Sequence, residues 1–222
     1  MPTLGLVHNS PMLAGVFNEI AARVMPDVRI LHFVDESTIR NTIAAGHLQK
    51  ATMRQVIRLV GSTFDAGCDV AMVTCSSIGR AVEMAAELYD QPVLRVDRAM
   101  AEEAVATATR VGVVATLSTT LDPTADLVRR VAAERGKPIE LTPHLCEGAF
   151  DAVMAGDGAM HDRIVGEALT EAMAGVDAIV LAQASMARVV AALPEGAVKM
   201  PVLSSPELGM RHAARVLASL AR

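Results

Sequence analysis

The stretch AGCDVAMVTCSSIGRAV, Ala66–Val82, has a near twin in AGVDAIVLAQASMARVV, Ala174–Val190. Superposed, the two pair Asp69 with Asp177, Ser77 with Ser185 and Arg80 with Arg188 at a constant offset. Each reads as a short apolar run, then a few small or polar residues, then a helical pattern, the signature of a buried strand feeding a helix. The copies part at one chemically decisive place: Cys75 in the first is Gln183 in the second.

The likeness extends outward. LGLVHNS (Leu4–Ser10) lies against VGVVATL (Val111–Leu117), matching Gly5 with Gly112, and QPVLRV (Gln91–Val96) lies against MPVLSS (Met200–Ser205). Landmarks repeated in one order predict two half-domains of one design, related by an approximate two-fold axis. In each half, apolar runs of about five residues alternate with longer segments of helical spacing, the pattern of βαβ units and a parallel sheet. Strands are predicted near Thr3–Val7, Arg29–Phe33, Val70–Thr74 and Val93–Leu94, then near Val111–Ala115, Ile139–Leu141, Ala178–Ala182 and Val202–Leu203. Helices fill the intervals, among them Gln49–Asp65, Ser76–Tyr89, Ala99–Ala108, Pro123–Arg135, Met160–Ala174 and Pro206–Leu220. The expected fold class is α/β, with two pseudo-symmetric half-domains, each a four-stranded parallel sheet flanked by helices. The first comprises residues 1–96 plus 206–222 and the second residues 97–205, with candidate hinges at Arg95–Met100 and Leu203–Pro206.

Bulk properties narrow the function. The chain has 222 residues, 52% of them hydrophobic and 20% charged, enough for a substantial core. A net charge of -5, with charges scattered singly, offers no basic footprint, so no nucleic-acid partner is expected. The opening MPTLGLVHNSPML has no basic segment followed by a long apolar run, and no run elsewhere reaches the roughly 18 residues of a spanning helix. Neither export nor a membrane partner is expected, and the localisation read from this is cytoplasmic. Three cysteines, Cys68, Cys75 and Cys146, lack metal-type spacing and are an odd number, which argues against a zinc site and a disulfide framework. The 13 methionines are dispersed and read as adaptable core.

Open parallel sheets bind ligands at the carboxyl ends of their strands, where Cys75 and Gln183 both fall. A thiol between a strand and a helix N-terminus sits where exposed N–H groups and the positive dipole end favour a thiolate, so Cys75 is expected to have a lowered pKa. Ser76 and Ser77 add hydroxyl donors and complete an anion cradle. The same residues can equally be an inert buried cysteine with two serines capping a helix.

VTCSS (Val73–Ser77) after one strand and VLAQAS (Val180–Ser185) at the matching place, with GVVATLSTT (Gly112–Thr120) and LAQASMA (Leu181–Ala187), resemble the aspartate/glutamate racemase superfamily. That group includes glutamate, aspartate and hydantoin racemases, maleate isomerase and arylmalonate decarboxylase. The resemblance covers essentially the whole chain. It implies an active site in the cleft between two α/β halves, no metal and no organic cofactor, a small carboxylic acid as substrate and a homodimer.

The resemblance also implies roles. In the racemases one cysteine removes the proton beside the carboxylate and a second, on the opposite face, returns one. Cys75 corresponds to the first, and the place of the second is Gln183. An amide cannot act as a base, so a symmetric two-thiol reaction cannot run through this pair, although Gln183 can donate to a carboxylate or enolate oxygen. Cys146, in PHLCEGAF (Pro143–Phe150), and His8 are the candidates for a second acid/base. His144 and Glu147 flank Cys146; either offers a proton donor by type, and the reading preferred for them is a loop histidine and a helix-start glutamate. Substrate contacts implied by the resemblance are Asn9 and Ser10 after the first strand, Thr116, Ser118 and Thr119 after the fifth, and Asn41 with Thr42 on the loop after the second. Ser118–Thr120 also reads as a helix cap ahead of Pro123. Ser185 and the N–H of Ala184 complete the second cradle.

Arg80 and Arg188 read as solvated or ion-paired. With no Trp and one Tyr, the pocket suits a small aliphatic acid. Isomerase or racemase chemistry comes first among the expected activities, and decarboxylation, which needs a single proton on one face, is the alternative. Two other classes stay open: a small-acid binding protein, and a thiol hydrolase with Cys75 as nucleophile and His8 as its base.

Overall fold

The structure is a computed structural model and describes residues 1–220. It divides into two compact units, Met1–Ala99 together with the segment from Pro206 onward, and Met100–Ser205.

The first unit runs β1 (Thr3–His8), α1 (Met12–Val24), β2 (Arg29–Val34), α2 (Ser37–Ala45), α3 (Lys50–Asp65), β3 (Val70–Val73), a 3₁₀ turn (Ser76–Ile78), α4 (Gly79–Leu88) and β4 (Val93–Arg95), and α5 (Arg98–Thr107) begins at its edge. The second continues with β5 (Arg110–Ala115), α6 (Ser118–Glu134), β6 (Glu140–Leu145), α7 (Ala149–Met154), α8 (Gly158–Glu167), a π-turn (Ala168–Ala172), β7 (Ala178–Leu181), a 3₁₀ turn (Ala184–Met186), α9 (Ala187–Ala192) and β8 (Val202–Ser204). The final helix, α10 (Ser205–Leu220), belongs almost wholly to the first unit.

Both sheets are parallel and four-stranded, ordered β2-β1-β3-β4 and β6-β5-β7-β8. The inner strands β1, β3 and β7 are buried at every residue. Helices cover both faces, which is why these strands read as continuous apolar runs rather than alternating ones. On one face Leu4, Leu6, Val70 and Met72 pack with Phe17, Ile20, Met210 and Leu217 from α1 and α10. On the other, Val7, Ala71 and Val73 pack with Val56 and Val60 of α3 and Val82 and Ala85 of α4. Each such aliphatic side chain, fully buried, stabilises by roughly 1.5–3 kcal/mol.

The repeat seen in the sequence is built as a repeat in the fold. Asp69, just ahead of β3, accepts the Thr3 N–H at 2.7 Å, and Asp177, just ahead of β7, accepts the Arg110 N–H at 2.8 Å. Gly5 and Gly112 mark matched close approaches: a Cβ at Gly5 would stand 2.7 Å from Thr63 Cβ, and one at Gly112 would collide with Met173 Sδ. Only glycine lets the segment behind each strand come so near.

The structure differs from the sequence reading in places with physical causes. β6 runs Glu140–Leu145, longer than the expected Ile139–Leu141, and carries Pro143. As an edge strand it has one side free of ladder bonds, where a missing N–H is tolerated. α6 starts at Ser118 rather than Pro123, with Pro123 inside it. The segment expected to be one helix over Met160–Ala174 is α8 followed by the π-turn. Asn41 and Thr42 lie within α2, not on a loop.

In each sheet the strand order reverses between the first and third strands of the unit, so the crevice beyond the carboxyl ends of β1 and β3, and of β5 and β7, is the place where an open α/β sheet offers a ligand backbone groups. Cys75 and Gln183 stand there.

Candidate active site

Cys75 and Gln183 hold the same backbone position in the two copies. Cys75 has φ -132 and ψ 120, Gln183 has φ -130 and ψ 136, and each is followed by a 3₁₀ turn and then a helix. The extended conformation ends the strand, and the turn brings successive N–H groups round towards the side chain just passed.

At Cys75 this places the backbone N–H and hydroxyl of Ser77 and the backbone N–H of Ile78 on the half-buried thiol. These donors favour the thiolate. Burial is the larger effect, however, and the buried Asp97 carboxylate adds to it, so the Cys75 pKa is raised rather than lowered. The expectation of a lowered pKa is corrected on this point: the turn supplies the donors that were foreseen, but desolvation of the thiolate outweighs them. Ser76 and Ser77 are both buried.

Asp97 arrives through an ion-paired network that the sequence did not reveal. Arg95 is 8% exposed and Asp97 0%, and the guanidinium grips the carboxylate with two bonds, Nε to Oδ1 at 2.9 Å and Nη2 to Oδ2 at 2.8 Å. A third bond, Nη1 to Glu83 Oε1 at 2.5 Å, ties the network to α4. Burial works against the Arg95 charge, and the two carboxylates outweigh it, leaving its pKa raised. The guanidinium passes directly over Gly79, the first residue of α4, where a Cβ would collide with it.

At Gln183 the arrangement is different. Its Oε1 accepts the backbone N–H of Thr116 at 2.6 Å and lies 3.1 Å from the Thr116 hydroxyl, while its Nε2 donates to that hydroxyl at 2.8 Å. The amide is turned onto the loop between β5 and α6.

His8 ends β1, buried to 1% exposure, with both ring nitrogens engaged: Nδ1 with Thr74 Oγ1 at 2.8 Å and Nε2 with His32 Nδ1 at 2.9 Å. His32 in turn reaches the exposed Asn18 at 3.0 Å. Burial, and then the neighbouring His32, lowers the His8 pKa to about 4. The His8 ring leans on Phe17, on the α1 side of the sheet, whereas Cys75 packs with the α3 and α4 cluster on the other side. His8 is thus bonded to the residue before Cys75, not to its thiol, and the Cys75–His8 hydrolase pairing is not formed.

Among the described residues, no three His, Cys, Asp or Glu side chains gather as a metal ion would require. No helix among them is long and apolar enough to cross a membrane.

Residues 9–213 match the family described as Asp/Glu/hydantoin racemase. The chain belongs to the Asp/Glu/hydantoin racemase family. No curated protein matches it by sequence. Its fold is similar to glutamate racemase from Francisella tularensis subsp. tularensis, solved in complex with D-glutamate (TM-score 0.75, 14% identity, 99% of this chain and 82% of that one). It is similar also to the aspartate racemase of Picrophilus torridus (TM-score 0.67, 14% identity, 100% and 94%). A mutant of arylmalonate decarboxylase in a sulfate-associated form shares the fold as well (TM-score 0.58, 18% identity, 98% and 94%).

The other residues expected from the racemase family fall unevenly on the structure. Asn9 and Ser10 sit half-buried at the bend after β1, and their side chains make no hydrogen bond among the described residues. Thr116 and Thr119 are buried at the end of β5 and the first turn of α6, while Ser118 is exposed. Ser185, the match of the buried Ser77, is exposed, with Ala184 half-buried beside it, so the second cradle is more open than the first. Asn41 is exposed on α2, and Thr42 is buried with its hydroxyl given to the Thr38 carbonyl at 2.7 Å. Both are thereby removed from the strand-end loop where they were expected. Cys146 is 1% exposed within the core cluster of Val114, Val165 and Leu181, and burial pushes its pKa up to about 11, a poor setting for a proton donor and acceptor. The exposed Arg80 pairs with the half-buried Glu83, and the exposed Arg188 with the half-buried Asp162.

Proposed function

We propose that this racemase-family chain is a cofactor-independent enzyme of isomerase or racemase type that moves a proton at the carbon alpha to the carboxylate of a small acid, with Cys75 as its single working thiol. The observation that carries this reading is the Cys75 thiol itself, half-buried at the end of β3 and met by the Ser77 N–H, the Ser77 hydroxyl and the Ile78 N–H. Those donors are suited to a sulfur that gains and loses a proton and to an anionic oxygen lying next to it. In the forward step the thiolate takes the α-hydrogen, the C–H electron pair passes to the enediolate, and the carboxylate oxygens carry the charge. Returning a proton to carbon completes exchange or, if it arrives on the other face, inversion. For cis-trans isomerisation the thiolate would instead add to a double bond and leave again after rotation.

Decarboxylation is the second reading, and two observations favour it. Burial disfavours the Cys75 thiolate, which suits a proton donor. The matched place in the second half offers an amide, not a second acid. Here the bond to the departing carboxylate breaks, its electron pair stays as an enediolate as carbon dioxide leaves, and Cys75 delivers one proton to carbon.

Proton NMR in heavy water, with a panel of amino, hydroxy, unsaturated and malonate-type acids, separates these readings. Deuterium gained beside a retained carboxylate, or conversion to an isomer, is the expected result for the first. Loss of a carboxylate with one deuteron gained selects the second. Saturable binding with no turnover of any acid would overturn both and leave a binding protein.

A further inference from the structure

Gln183 has the backbone of a catalytic strand-end residue, yet its side chain is already bound. The Thr116 N–H that it satisfies is buried, so without Gln183 that donor would need another acceptor. A carbonyl oxygen receiving an N–H and an adjacent hydroxyl presents to them what one oxygen of a carboxylate would present. Three residues on, in the first turn of the seventeen-residue α6, the Thr119 hydroxyl is buried, the residue being 9% exposed, and has no hydrogen-bond partner among the described residues. A buried unpaired hydroxyl is costly to maintain and marks a place where a partner is due. The loop therefore holds one set of donors occupied by an internal amide and one donor unspent. In the matched loop of the first half Asn9, the counterpart of Thr116, makes no side-chain hydrogen bond among the described residues, and Cys75 is too short to do there what Gln183 does.

We infer that Gln183 is an internal competitor for a carboxylate-binding cradle formed by Thr116 and Thr119, and that it must release Thr116 before the carboxylate of a small acid binds there. This rests on the reading that the ligand is a small carboxylic acid. The exchange is favourable because a charged acceptor makes stronger bonds to the same donors than a neutral amide does. It is incomplete at low ligand concentration because the amide is tethered. Gln183 thus sets the affinity of the cradle and favours ligands whose carboxylate is unhindered.

The test is calorimetric titration of sodium malonate and sodium propionate into the wild-type chain, Gln183→Ala and Gln183→Asn, the last being one methylene too short to span to Thr116. Both variants should bind at least about tenfold more tightly than wild type, the gain expected when a competing pair of neutral hydrogen bonds is removed. In the wild type, saturating malonate should shift the Gln183 side-chain amide resonances towards those of a free amide, a readout that does not depend on either variant folding. Wild-type-like or weaker binding by the folded variants, or Gln183 resonances that stay put in the malonate complex, would overturn this inference while leaving the Cys75 reading intact. Failure of all three proteins to bind either acid would overturn both.

Discussion

His8 and His32 share a hydrogen bond, Nε2 to Nδ1 at 2.9 Å, with their rings stacked 5.1 Å apart. The pair spans from the exposed Asn18 to Thr74, the residue before Cys75, so it fixes the end of β1 against the end of β3. It is built for two neutral rings, since a proton added to His8 must be accommodated in a buried place beside a second imidazole.

Stability should therefore fall in acid. The unfolded chain takes up the His8 proton below about 6.5, and the folded chain refuses it down to about 4. Between these values the unfolded state binds more protons, so stability rises with pH across the window. The difference corresponds to roughly 3 kcal/mol, fully present above pH 6.5 and lost as the pH falls to 4. Urea titrations at stepped pH should show this slope in the wild type and a flatter one in His8→Asn. Equal slopes would mean that His8 is not the group responsible.

Asp97 raises the Cys75 pKa, so Asp97→Asn should lower it. Alkylation of Cys75 by iodoacetamide, followed by mass spectrometry across pH, should then have an earlier midpoint than in the wild type. The variant also leaves Arg95 with Glu83 alone as carboxylate partner, and a stability loss of about 1–3 kcal/mol is expected alongside. A midpoint that moves to higher pH would contradict the electrostatic assignment.

Ser77→Ala removes a hydroxyl that favours the thiolate. The Cys75 pKa should rise, the opposite of the Asp97→Asn result. Turnover should drop by roughly 10- to 100-fold, somewhat less than the loss of a full oxyanion donor. Unaltered turnover in the folded variant would show that this hydroxyl plays no part in the chemistry.

Cys146 offers a contrast within the same chain. Buried and with a pKa near 11, it should resist alkylation in the native protein and react only on unfolding. Cys146→Ala should leave turnover unchanged and cost about 1–2 kcal/mol of stability through lost packing. Loss of activity without loss of structure would reinstate it as an acid/base.

The fold was legible where burial is uniform and illegible where it is not. Val70–Val73 and Ala178–Leu181 read as strands because both of their faces are covered by helices. The full length of β6 does not show in the sequence, because its exposed residues and Pro143 belong to a sheet edge, which imposes little pattern. Of the site, Cys75 and its donor turn could be read from one stretch, since the strand, the thiol and the serines are contiguous. The sign of its pKa shift could not, because desolvation depends on packing and Asp97 lies far along the chain. Nor could the grip of Gln183 on Thr116, or of His8 on Thr74, be read from residues 67 and 66 positions apart. Those contacts exist only once β5 and β7, and β1 and β3, are neighbours.

The central claim is that the Cys75 thiol carries the proton. Its most direct test is the rate of deuterium incorporation or turnover of the accepted acid by wild type, Cys75→Ala and Cys75→Ser, each confirmed as folded by circular dichroism. The account predicts a loss of at least about 1,000-fold in both variants, the scale on which removal of an acid/base or nucleophile acts. Turnover at the wild-type rate by Cys75→Ala would contradict it and move the chemistry away from this strand end.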